Sequence, residues 1–222
     1  MNSRELILNK IKASLSGSGS RVPGDPDVDQ QISDSLAEIT PENIDSLAGQ
    51  FHKELELVSG EFQSAKNEQQ ALQIVQDIFS TSDIKSFTCT SAPLPSRFAE
   101  ALKTDYQFIP TGEQEARKNR LAQATAGLVD VDHAIADSGT LVVRFDRLDS
   151  TLPHFLPDVI IAFVYKDQLL ANHFELFDKI DPDAAKNMTL ITGPSRTADI
   201  EKILILGAHG PRRLVVIFID QR

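Results

Sequence analysis

The sequence predicts a layered α/β domain, and three observations carry that prediction. Apolar runs of strand length alternate with stretches of helical periodicity through the first half of the chain. Val159–Tyr165 is continuously apolar, and Leu214–Asp220 is apolar up to its last residue, the pattern of strands buried on both faces. Capping and turn residues stand at the boundaries of these runs.

The elements follow in order. Residues 3–14 read as a short amphipathic helix, with Ile7, Ile11 and Leu15 four apart and Asn2 and Glu5 at capping-box spacing. Residues 14–29 are rich in Ser, Gly and Pro and cannot bury enough apolar surface to order themselves, so they read as a flexible linker. The domain division is therefore 1–35, N-terminal helix and linker, and 36–222, the α/β domain. The helix either docks on its own domain or serves as an arm for a partner or second copy.

Thr40-Pro41-Glu42 is a helix start, and Ile44, Leu47, Ala48, Phe51 and Leu55 form one stripe behind it. Glu61–Gln63 reads as a strand, and Asn67 caps a helix that turns Leu72, Val75, Ile78 and Phe79 inward. Ile84–Thr90 is a strand, Pro95–Leu102 a helix, Tyr106–Pro110 a strand and Gly112–Ala122 a polar helix. Leu128–Ile135 and Leu141–Phe145 flank a hairpin turn at Asp137–Thr140. Asp167-Gln168 is a turn, Phe174–Ile180 a helix ended by Asp181-Pro182, and Thr189–Thr192 a strand. Ile203–Leu206 fits a helix or a strand.

Composition excludes several functions. A net charge of −10 over 222 residues lacks the basic footprint of a nonspecific nucleic-acid binder and disfavours an anionic membrane surface. One cysteine, Cys89, cannot make an internal disulfide, a Cys-type zinc site or a cysteinyl iron–sulfur cluster. No run approaches the roughly 20 apolar residues of a membrane span, and no signal-type h-region follows the first residues. The expectation is a cytoplasmic protein.

Three stretches of the second half carry chemistry-bearing residues. In 134–140, Asp137, Ser138, Gly139 and Thr140 put a carboxylate and two hydroxyls on a glycine turn, which also fits an ordinary tight turn. In 147–154, Arg147, Ser150, Thr151 and His154 offer a guanidinium, two hydroxyls and an imidazole, suited to a carboxylate or phosphate, or equally to a solvated loop. In 192–201, Gly193, Ser195, Arg196 and Thr197 precede Asp199 and Glu201, as at a helix start that would hold an anion or cap itself. His209 lies in a further Gly/His/Arg loop. No Walker loop, dinucleotide fingerprint, GxSxG or histidine metal spacing is present, so no metal is expected. Cys89 reads as a buried structural thiol.

AIADSGTLVV (134–143), STLPH (150–154), ITGPSRTADIE (191–201) and LGAHGPRRLVVIFID (206–220) together resemble the motifs of the LUD domain, and more narrowly the lactate-utilisation protein C family. The resemblance covers about residues 60–220, and its specificity lies in the order and spacing of four motifs. It implies a three-layer α/β/α sandwich of the NagB/RpiA/CoA-transferase-like type, similar to formyltetrahydrofolate cyclo-ligase. It also implies a role beside lactate-utilisation proteins A and B, which carry iron–sulfur cysteine motifs, in bacterial oxidation of L-lactate to pyruvate. The family commonly has Glu and Thr where this chain has Asp137 and Ser138. A glutamate is the nucleophile in related CoA transferases. The shorter Asp137 is better suited to binding than to a covalent acyl step.

The functional expectation is a non-redox accessory subunit of such a system. It would bind no cofactor itself and leave the clusters to its partners. An anion cleft would be built from Ser138, Gly139, Thr140, Arg147, His154, Gly193, Ser195, Arg196, Thr197 and His209. The alternatives are a free-standing CoA-transferase or cyclo-ligase-like enzyme using Asp137 or His209 on an acyl or phosphorylated molecule, and a regulatory scaffold on the same fold. A homo-oligomer stays open.

Overall fold

Six parallel strands form the centre of the α/β domain, seen in a computed structural model. The structure describes residues 44–111, 121–145, 151–180, 187–198, 204–206 and 210–221, all within the unit Pro41–Arg222. The N-terminal helix and linker, the Thr40–Glu42 start, most of the 112–122 helix, the Asp181-Pro182 break, Arg147, Asp199, Glu201 and His209 lie outside the described residues.

The elements of the first half are α1 (Ile44–Leu57), β1 (Glu61–Ala65), α2 (Glu68–Thr81), β2 (Ser86–Cys89), α3 (Pro93–Leu102) and β3 (Gln107–Phe108). Then come β4 (Ala126–Asp130), β5 (His133–Ile135), β6 (Thr140–Phe145), α4 (Leu152–Phe155) and β7 (Val159–Tyr165). A 3-10 turn at Lys166–Gln168 leads to β8 (Leu169–Leu170), α5 (His173–Lys179), β9 (Asn187–Ile191), β10 (Arg196–Ala198), β11 (Leu204–Leu206) and β12 (Arg213–Ile219).

The central sheet runs β1-β12-β7-β4-β2-β3, with every neighbouring pair parallel. Its two central apolar strands bury alternate residues on opposite faces, as period-two geometry requires. In β12, Val215, Ile217 and Ile219 join a core with Val75 and Phe79 of α2 and Phe98 and Leu102 of α3. Leu214, Val216 and Phe218 join a second core on the other face, with Leu47, Phe51 and Leu55 of α1. That second outer layer is completed by a four-stranded sheet in the order β8-β5-β6-β9. The three-layer sandwich is thus helices, sheet, and helix with a smaller sheet.

Local signals hold where they were strong. Asn67 caps α2 by accepting from the Gln70 N–H at 3.0 Å. β5 and β6 form the expected hairpin, with Ile135 opposite Thr140.

Two expectations are corrected. Leu128–Ile135 is not one strand: β4 belongs to the central sheet and β5 to the smaller one. The chain breaks at Val131-Asp132, where the Asp132 carboxylate accepts from the Arg144 N–H at 2.7 Å and the Gln168 amide donates to the Val131 carbonyl at 2.6 Å. Nor does a helix open at Arg196. Arg196–Ala198 is a strand paired antiparallel with Leu204–Leu206, which makes the described part of the ambiguous segment a strand.

Candidate functional site

The topology marks one place for a ligand. After β2 the chain moves outward to β3, then returns past β2 to β4. The carboxyl ends of β2 and β4 therefore diverge into a crevice, the switch point at which open parallel sheets bind ligands. Here the Thr90 hydroxyl donates to Asp130 Oδ1, and the Thr90 N–H to the Leu128 carbonyl at 3.0 Å.

Beside this contact lies a cavity of about 310 Å³, lined by Glu68, Arg97, Asp130, Tyr165 and Gln168 and floored by apolar groups including Leu94 and Phe163. Glu68, at the start of α2, is held from two sides. The Tyr165 hydroxyl donates to one oxygen and the Arg97 guanidinium to the other, each at 2.6 Å. Gln168 is a wall: its carbonyl accepts from the Tyr165 N–H at 2.7 Å while its amide holds Val131.

His154 supports this edge from behind. It is 4% exposed, and its Nε2 lies 3.0 Å from the Asp130 carbonyl. A carbonyl only accepts, so Nε2 carries the proton. Burial pushes the imidazole pKa below its ordinary value and keeps it neutral. Of the sequence-predicted residues among those described, His154 is the one that touches the switch point.

Asp137, Ser138, Gly139, Thr140 and Gly193 gather elsewhere. Gly139 has φ +60° and packs on Leu55, while Gly193 has φ +78° and packs on Val58. Both therefore close on the last turn of α1, just before β1. Thr140 and Thr192 link the two motifs, hydroxyl to hydroxyl, at 2.8 Å. Asp137 Oδ1 and Ser138 Oγ are buried without a hydrogen-bond partner among the described residues, and His173 Nδ1 stands 3.6 Å from that Asp137 oxygen. A cluster that already presents a carboxylate oxygen repels an anion and receives a donor.

Ser195 and Arg196 sit apart from this turn. The Ser195 N–H donates to the Pro211 carbonyl at 2.8 Å, and Gly210 packs against the Ser195 side chain. Arg196 is exposed on β10. Thr197 lies in β10, and Arg147 and His209 are outside the described residues. Arg213 of the last motif is structural. Its guanidinium grips Glu61 of β1 at 2.5 and 2.9 Å and donates to Ser82 at 2.8 Å.

The residues that line the cavity escaped motif reading. Asp130 and Tyr165 end parallel strands, and the last residue of a buried apolar run is the signal that points to them. Among the described residues no group of three or more metal-ligating side chains occurs, and no helix is long and apolar enough to cross a membrane.

Comparisons with known proteins agree with this architecture. A crystal structure of a DUF162 family protein from Deinococcus radiodurans superposes with a TM-score of 0.61 at 19% identity, covering 81% of this chain and 99% of that one. Lactate utilization protein C of Bacillus pumilus (strain SAFR-032) is 34% identical over 108 residues, 46% of this chain and 45% of that protein. Its counterpart in Bacillus subtilis (strain 168) is 32% identical over 117 residues, 50% and 48% of the two chains. The matched segment spans about half the length of these relatives. The LUD domain model matches residues 48–219, nearly all of the α/β unit, and the chain belongs to the LUD domain family.

Proposed function

We propose that this protein is the non-redox component of a system that oxidises L-lactate to pyruvate. The observation that carries the reading is the LUD match over residues 48–219, joined to relatives named lactate utilization protein C. Oxidation of a 2-hydroxy acid releases two electrons. This sequence has one cysteine, and it is buried in β2 with burial and the nearby Asp130 and Glu100 charges raising its thiol to about 11. A protonated, buried thiol is a poor metal ligand. The reading therefore assigns the electrons to iron–sulfur clusters on partner subunits, the lactate-utilisation proteins A and B. Arg196, exposed on β10, is its candidate contact for an anion or a partner.

A second reading, a free-standing group-transfer enzyme, draws support from Asp137 and His173 at 3.6 Å beside the buried Ser138 hydroxyl. Anaerobic affinity purification of the tagged chain from its own cells separates the two. Co-purifying proteins with iron–sulfur absorbance are expected. Recovery of the chain alone, with turnover of an acyl or phosphorylated substrate, would replace the first reading with the second.

A further inference from the structure

We propose that the cavity at the switch point binds a ribosyl ligand, through two adjacent hydroxyls donated to the free carboxylate oxygen of Asp130. The polar walls differ in what each has left to offer a ligand. Both oxygens of Glu68 are engaged, by Tyr165 and Arg97. Both ends of the Gln168 amide are engaged, by the Tyr165 N–H and the Val131 carbonyl. Asp130 differs. Thr90 holds its Oδ1, and the Asp130 backbone carbonyl is fixed by His154, so the carboxylate is oriented while Oδ2 keeps its lone pairs for a ligand.

The charge balance then selects the ligand class. Two carboxylates and one guanidinium line the cavity, and that guanidinium is already paired with Glu68. The unspent charge is negative, which disfavours a free anion and favours hydroxyl donors. Adjacent hydroxyls on a sugar can share one carboxylate, as an acidic residue at a strand end does for ribose in other parallel sheets.

The remaining wall is apolar. Ala92, Pro93, Leu94 and Pro95 open α3 against the cavity, and Phe163 closes its floor. Prolines at 93 and 95 leave Leu94 as the one backbone N–H among the first three positions of that helix. This wall suits a flat ring attached to the sugar. The cavity volume falls at the lower end of the roughly 300–1,000 Å³ of small-molecule sites, enough for a small ligand and not for a long chain. The assignment is independent of the lactate reading, because it concerns binding by this chain alone.

Calorimetric titration of the full chain tests it with adenosine, 2′-deoxyadenosine, D-ribose, L-lactate and inorganic phosphate as probes. Adenosine is expected to bind, and 2′-deoxyadenosine about tenfold or more weaker, the value of one hydrogen bond to a charged group. Adenosine binding tighter than D-ribose assigns the apolar wall to the base, while equal affinity assigns the site to the sugar alone. Asp130→Asn still accepts from Thr90 but exchanges the free acceptor for a donor, so it should lose adenosine by the same factor with an unchanged melting temperature. Equal affinity for the deoxy and ribo compounds, absence of binding by both adenosine and D-ribose, or Arg97-dependent binding of L-lactate or phosphate in their place would overturn the proposal. The deoxy comparison uses the unmodified protein and holds whether or not a variant folds.

Discussion

Thr140 and Thr192 meet hydroxyl to hydroxyl at 2.8 Å, although 52 residues separate them. The contact joins the first residue of β6 to the residue after β9, strands that pair antiparallel with Leu141 opposite Ile191. It places two glycine turns, one from each motif, side by side on the end of α1. That closure is made by backbone, so its energetics rest on the glycines more than on the hydroxyls.

Gly139→Ala and Gly193→Ala should each destabilise the domain by about 2–4 kcal/mol, the sum of a left-handed backbone penalty and overpacking. A β-carbon would stand 2.4 Å from the Leu55 backbone nitrogen at position 139, and 2.4 Å from the Val58 carbonyl oxygen at position 193. Urea denaturation of the two variants measures this. Losses below about 0.5 kcal/mol would mean the turns relax without cost.

The buried imidazole of His154 makes stability depend on pH. In the unfolded chain it titrates near its ordinary value of about 6.5, and in the folded chain burial lowers that value. Its contribution is complete above about pH 6.5 and is lost as pH falls toward the folded value, because only the unfolded chain then takes up the proton. The slope per group is at most about 1.4 kcal/mol per pH unit. His133, also lowered by burial and by Arg144, acts with the same sign. His154→Gln can still donate to the Asp130 carbonyl but does not titrate. Denaturation between about pH 7.5 and 5.5 should show a markedly smaller slope in the variant than in the wild type. An unchanged slope would place the pH dependence elsewhere.

Cys89 should resist thiol reagents in the native protein. Its thiol is raised to about 11, so almost none is thiolate at neutral pH, and the side chain is 7% exposed. Modification by a disulfide reagent should be slow in buffer and rapid in denaturant, following the opening of β2. Prompt stoichiometric labelling of the folded chain would contradict the burial.

What was legible in the sequence was local. Val159–Tyr165 emerges with the bounds its apolar run suggests, and Asn67 caps α2 as its side chain dictates. Both signals act within a few residues. The break at Val131-Asp132 was not legible, because its causes, Arg144 of β6 and Gln168 of the 3-10 turn, arrive from elsewhere in the chain. The pairing of Arg196–Ala198 with Leu204–Leu206 was hidden likewise, since its polar residues mimic a helix start. The glycine turns were recognisable as motifs, yet only the fold shows that both close on α1. The cavity escaped altogether. Glu68, Arg97, Asp130 and Tyr165 lie on two helices and two strands brought together by parallel pairing, with no spacing to betray them.

Growth tests the proposed role in L-lactate oxidation most directly. Cells lacking this protein should fail to grow with L-lactate as sole carbon source while growing normally on pyruvate, and the restored wild-type chain should rescue them. Normal growth of the deletion strain on L-lactate would contradict the claim.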